Sequence, residues 1–186
     1  MNFFTHIAMG KSLYKKLKHA FPLMESAFIY GNIKPDLEHL VPHLYQTHHD
    51  YVMAQVAELQ NFEGTLERFS ETLGEVCHYV CDFFCLYHRD THYYHRYLKH
   101  FIYEAKTHVA FVLRKWQHKV DHIPCDLGDI EQSLLHIRTH YLESAQGVNN
   151  DLYYAMETAY KLIYEICLCN QSRFFLVFWS NHEMNV

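Results

Sequence analysis

The feature that most constrains this chain is the spacing of its apolar residues, which follows a helical period nearly everywhere and never alternates as a strand would. Ile7, Leu13, Tyr14 and Leu17 mark a first helix that stops before Pro22, and Met24 to Tyr30 reads as a short helix closed by Gly31. Asn32 to Pro42, with Pro35 inside it, reads as a loop. Val52, Val56 and Leu59 mark a helix ending before Gly64. Thr65 opens a long one through Phe69, Leu73, Val76 and Val80 towards Tyr87. The next runs from Tyr93 to about Val120 and breaks over Ile123, Pro124 and Gly128. Asp129 is placed to cap a helix to Ala145, and Asn150 or Asp151 to cap a last one through Tyr154, Ala155 and Leu162. The expected fold is all-α: a single-domain bundle of six or seven helices over residues 1–186.

Composition narrows the function. With 49% hydrophobic and 20% charged residues, the chain can bury a core and is not disordered. Only 6 Gly and 4 Pro argue against a turn-dense sandwich. A formal charge of -5 argues against a stable nucleic-acid partner held by a basic surface. The start lacks the pattern of a secretory signal, and the longest apolar run, Phe174 to Trp179, is far short of a transmembrane segment, so a cytoplasmic location is expected. Packing of that run onto the bundle is its expected fate. Cys77, Cys81 and Cys85 follow one helical stripe and cannot bridge each other. With Cys167 and Cys169 in an apolar helix, they read as buried free thiols.

Histidine is the anomaly, at 17 copies. His78 and Asp82 stand four apart on one helix face, and His88 follows near that helix's end. His100 and Glu104 form a second such pair on the next helix. Imidazole nitrogen and carboxylate oxygen are both good zinc ligands, and neighbouring carboxylates repel unless cations lie between them. Earlier in the chain, His6 lies on the first helix, Asp36 ends Gly-x-x-x-Pro-Asp, and His39, His43, His48 and His49 follow as a cluster.

Taken in order, His6, Asp36, a cluster histidine, His78-x3-Asp82-x5-His88 and His100-x3-Glu104 resemble the zinc-dependent phospholipases C. The single-strand-specific zinc nucleases share that fold and ligand order. The resemblance covers residues 1 to about 110, the metal-site half; the helical remainder, 111–186, carries no matching motif. It implies two to three zinc ions in a cleft of a helical bundle. Asp36, His78, Asp82 and His43 would bind the first, with His48 and His49 as alternatives to His43. His88, His100 and Glu104 would bind the second. His6, the amino terminus at Met1 and a bridging Asp82 would bind the third. The implied activity is hydrolysis of a phosphodiester, phospholipids among the candidate substrates, with Asp36 orienting or deprotonating the attacking water.

Two departures bear on this. Met1 stands where the family has a processed tryptophan, and Leu37 and Leu44 stand where relatives place aromatic residues, so head-group preference does not transfer. Alternatives are a nuclease or other phosphodiesterase on the same fold, an HD-type phosphohydrolase centred on His49-Asp50, and a non-enzymatic hemerythrin-like bundle. The last would want a second His-x3-Glu or Glu-x-x-His repeat. His19, His92, His95, His108, His118, His122, His136 and His140 read as solvated or core residues, the last two without a carboxylate to complete a site. Tyr79, Tyr87 and Tyr103 flank ligand positions and are expected to line the cleft.

Overall fold

The computed structural model describes residues 1–38, 42–114 and 129–172. His39, His118, His122, the break at Ile123–Gly128 and the Phe174–Trp179 run lie outside them. The described residues form nine α-helices and no strand: α1 (Phe3–Leu17), α2 (Glu25–Gly31), α3 (Lys34–Glu38), α4 (Tyr45–Gln60), α5 (Leu66–Phe83), α6 (Thr91–Tyr94), α7 (Tyr97–Arg114), α8 (Ile130–Glu143) and α9 (Val148–Cys169). Seven correspond to the helices expected from periodicity. The two additions, α3 and α6, are single turns too short for an apolar period to reveal.

Side-chain caps start four of these helices. Asn2 accepts from Thr5 N, Thr65 from Arg68 N, Asp90 from Tyr93 N and Asp129 from Gln132 N, each satisfying a backbone donor of a first turn. The final helix corrects the expectation: it starts at Val148 behind Gly147 (φ 154°), and Asp151 lies buried inside it instead of capping it. The long helix from Thr65 also stops early, at Phe83. Cys85 falls beyond it and His88 ends a separate 3-10 turn, Leu86–His88. Asp90 opens α6, and the helix expected from Tyr93 is interrupted between Tyr94, where α6 ends, and Tyr97, where α7 begins. Among the described cysteines, Cys77, Cys81, Cys85 and Cys167 are buried free thiols, but Cys169 is exposed.

The centre of the bundle is α5. Every residue from Leu73 to Phe83 is buried, because α2, α4 and α9 pack around it and α1 and α3 reach it as well. A helix apolar on all sides would do this by default, yet α5 carries His78 and Asp82 into the same dry interior. Its crossing with α2 depends on two glycines. A Cβ on Gly31 would lie 1.9 Å from the Glu71 carbonyl oxygen, and one on Gly74 would lie 2.1 Å from that of Phe28. Gly74→Ala should therefore force the two backbones apart and lower stability by about 1–3 kcal/mol, read as a shifted urea midpoint. A midpoint equal to that of the unsubstituted chain would show that the crossing is not this tight. No helix of the described residues is long and apolar enough to cross a membrane.

Candidate metal centre

Six segments deliver the nine candidate residues to one place. The amino-terminal amine and His6 come from the start of α1, Asp36 from α3 and His43 from the segment before α4. His78 and Asp82 come from α5, His88 from the 3-10 turn, and His100 and Glu104 from α7. All six polar or charged residues at its heart, His6, His43, His78, Asp82, His88 and His100, are buried.

Asp82 is the hub. Its Oδ1 accepts from the Met1 amine and lies 3.2 Å from His6 Nε2; its Oδ2 lies 3.3 Å from His43 Nδ1, 3.5 Å from His78 Nε2 and 3.1 Å from His88 Nδ1. A second group surrounds Glu104, whose Oε1 lies 3.0 Å from His100 Nε2, 3.2 Å from His88 Nε2 and 3.5 Å from the Met1 amine. Three sets of donors are close enough to share an ion: His6, Asp36 and His78; His43, His78 and Asp82; and His88, His100 and Glu104. The third has the same residues as the grouping expected from the sequence and the second has three of its expected four, while Asp36 sits with His6 and His78. The rings of His6 and His78 stack at 3.9 Å, which explains that pairing.

The charges are strongly coupled. Burial would raise the pKa of Asp82, but His88, the Met1 amine and His6 outweigh it and hold the carboxyl well below its usual range. Burial likewise opposes Glu104, and the Met1 amine, His100 and His88 hold it below its usual range. His78 is pushed well below the ordinary imidazole value by burial and by neighbouring His6. Burial, with the neighbouring Asp82 carboxylate, raises the pKa of Asp36 against the opposing His6, Met1 amine and His43. The buried Met1 amine is raised despite burial, by Asp82, Cys85 and Glu104.

These side chains fit a set of divalent ions. His78 turns Nδ1 to the Asn32 carbonyl oxygen (3.0 Å), and His100 turns Nδ1 to that of Tyr94 (3.4 Å). A carbonyl only accepts, so in each neutral ring Nδ1 carries the proton and Nε2 presents a lone pair. Those lone pairs face other acceptors: Asp36 and Asp82 for His78, Glu104 for His100. A cation between such lone pairs and carboxylates relieves their repulsion, and His43 Nδ1, 2.8 Å from His78 Nε2, belongs to the same cluster of ligand atoms. Asp36 Oδ2 and His43 Nε2 are also buried without a hydrogen-bond partner. Backbone carbonyls that fix a ring's tautomer are the usual outer support of a metal-binding histidine.

Two supporting residues were missed by sequence reasoning. Asn32 donates from Nδ2 to the His6 carbonyl (2.7 Å) while its own carbonyl receives His78, so one buried side chain and its backbone register two candidate ligands. Its place in Gly-Asn-Ile-Lys-Pro-Asp, four residues before Asp36, was the only signal in the sequence. Asp151 accepts from Leu86 N (2.8 Å), Tyr103 Oη (2.8 Å) and Tyr141 Oη (3.0 Å), tying the turn of His88 and the helix of Glu104 to α9. Burial pushes its pKa up to about 6. Asp151→Ala would leave three donors unpaired in the interior and should cost about 3–5 kcal/mol, measured by urea unfolding. A loss below about 1 kcal/mol would mean that water replaces the carboxylate.

The flanking tyrosines have separate roles. Tyr87 stacks on His100 (5.2 Å, 12° between planes) and Tyr79 packs edge-on against His43 and His78, so both hold imidazoles in place. Tyr103 instead serves Asp151. His48 stacks on Tyr79, and His49 lies 3.0 Å from Asp50, whose side chain is fully exposed. Neither histidine joins the three donor sets. His136 and His140 lie edge to face on each other, 4.5 Å apart, in α8.

The family profile described as zinc dependent phospholipase C matches residues 5–161. No curated protein and no solved structure matches the chain. The matched span includes every candidate ligand except Met1, and so the chain belongs to the zinc-dependent phospholipase C family.

Proposed function

We propose that the protein is a zinc-dependent hydrolase of phosphodiesters, resembling phospholipase C, with its zinc held by Met1, His6, Asp36, His43, His78, Asp82, His88, His100 and Glu104. The observation that carries this is the position of Asp82, in reach of residues from all three donor groups at once. Asp36, His43, His78 and Asp82 would hold one ion, His88, His100 and Glu104 a second, and the Met1 amine with His6 and Asp82 a third. Bound zinc supplies a Lewis acid and lowers the pKa of water towards about 7.

The protein's residues divide the remaining work. The ring-to-carbonyl bonds of His78 and His100 keep lone pairs pointed inward, and the packing of Tyr79 and Tyr87 prevents the rings from turning. Asp36 is the proton acceptor in this reading. It is the more open of the carboxylates, with a side chain 21% exposed, and one oxygen has no partner. Its raised pKa brings it closer to the range in which a carboxylate takes a proton from water.

Two measurements test the assignment. Metal analysis of protein purified without chelator should find about two to three zinc ions per chain. A panel of phosphatidylcholine, a soluble phosphodiester and single-stranded DNA then reads the substrate class. Iron in place of zinc, or no hydrolysis of any of them, would overturn the reading. Asp36→Asn should lower turnover by about 100- to 10,000-fold while most zinc remains, since asparagine keeps one oxygen donor but takes no proton. Full turnover with all substrates would show that another group accepts the proton.

A further inference from the structure

The helix that carries His100 and Glu104 on its inner side has an outer side that nothing in the described bundle covers. Leu98, Phe101, Ile102, Val109, Val112 and Leu113 are exposed along α7, at helical spacing, and Phe101 and Leu113 are 70% and 76% exposed. A shallow apolar groove runs along this side between Phe101, Ile102, Val109 and Leu113. Exposed apolar residues gathered in this way mark an interaction face, whereas scattered ones do not.

Charge on this side runs against the rest of the chain. Overall the protein is acidic, at -5. Yet residues 91–113 hold Arg96, Lys99 and Lys106 against one acid, Glu104, which is turned inward to His88 and His100. The neighbouring α1 continues the pattern: residues 1–24 contain four lysines and no carboxylate. Phe4, 67% exposed, lies 6.3 Å from His108 of α7, and Lys11 and Lys15 follow Phe4 on one helical face. Both helices therefore offer large apolar side chains among lysines.

We infer that the outer faces of α7 and α1 form a docking surface for an anionic phospholipid bilayer, on which the protein lies without spanning it. Lysines beside exposed aromatic and aliphatic side chains on one helix face are the composition of an interfacial helix. The lysines are attracted by acidic headgroups, and Phe101 and Leu98 gain by leaving water for the acyl boundary. A second copy of the chain is a poorer occupant, because face-to-face pairing would bring the same positive charges together. In its purpose, the supply of lipid to the metal site, the inference rests on the hydrolase reading above; binding itself requires no hydrolysis.

Vesicle co-sedimentation separates the two. The protein should sediment with vesicles of equal parts phosphatidylcholine and phosphatidylglycerol, and much less with phosphatidylcholine alone. Added salt should weaken the binding. Lys99→Glu with Lys106→Glu should reduce the partition by about thirtyfold or more. Leu98→Ser with Phe101→Ser should reduce it by at least about tenfold, with the melting temperature unchanged. Binding that persists in both double variants, or no binding to the anionic vesicles, overturns the inference. So does a lowered melting temperature in the Leu98 and Phe101 variant, which would mean that the chain covers this face itself. A dimer in analytical ultracentrifugation that the same variant dissolves would assign the face to a second copy. Tight binding to polyglutamate that ignores the loss of Phe101 would assign it to an acidic polypeptide. Anionic-vesicle binding without hydrolysis would uphold this inference and count against the hydrolase alone.

Discussion

Asp82→Asn is expected to strip the centre of most of its zinc and to lower turnover on the order of a thousandfold or more. Among the described residues no other side chain touches so many candidate ligands: the Met1 amine, His6, His43, His78 and His88 all lie against its two oxygens. Asparagine has nearly the same shape but supplies one neutral oxygen and one N–H pair. The N–H pair would face an amine and imidazoles that need an acceptor. The negative charge that holds the Met1 amine and His88 in the interior would be lost together with the bridge. Metal analysis and turnover should therefore fall together, in contrast to Asp36→Asn, where turnover falls and metal largely stays. Retention of full zinc by the Asp82 variant would show that the donor groups are independent of this carboxylate.

Chelation is expected to lower stability substantially. A ligand bound by the folded state alone, at about a thousand times its Kd, contributes roughly 4 kcal/mol, and for a chain of this length that corresponds to about 8–16 °C in Tm. The structural reason is local. Asp82 is fully buried and Glu104 is largely so, and five of the surrounding imidazoles are buried with them. Without divalent cations, this interior must be balanced by the Met1 ammonium and protonated histidine. Treatment with a chelator followed by calorimetry should show the fall, and restored zinc should reverse it. An unchanged melt would mean that the cluster is held together by hydrogen bonds alone.

The ligand chemistry was legible because it obeys helix geometry. His78 with Asp82 and His100 with Glu104 are each one turn apart, so their convergence within a helix follows from spacing alone. The order of His6, Asp36, His88 and these pairs carried the family resemblance, which the profile match then shows for residues 5–161. Choosing among His43, His48 and His49 was another matter. All three are near the start of α4, and only packing separates them: His43 meets Asp82 and His78, His48 is stacked on Tyr79, and His49 sits beside exposed Asp50.

Helix identity was read more reliably than helix ends. Periodicity ran on from Val80 towards Tyr87, but the chain leaves α5 at Phe83, and the turn that follows is held by Asp151, 65 residues away from Leu86. Asp151 resembled a cap because aspartate near a helix start usually is one. Two tyrosines and a distant backbone N–H made it a buried anchor instead. Gly74 had no distinguishing neighbour in the sequence, and its meaning lies in the carbonyl of Phe28 across the helix crossing.

By itself, then, the sequence determined the all-α class, seven of the helices and the chemical types able to meet a metal, since each depends on residues within a few turns of one another. Tertiary structure alone decided that Asn32 registers His6 with His78, that Asp151 fastens the His88 turn, and that α7 shows one face to the cluster and another to solvent. Those outcomes depend on which surfaces of distant segments are buried against each other, and a linear pattern of apolar and polar residues does not encode the partner of a buried polar atom.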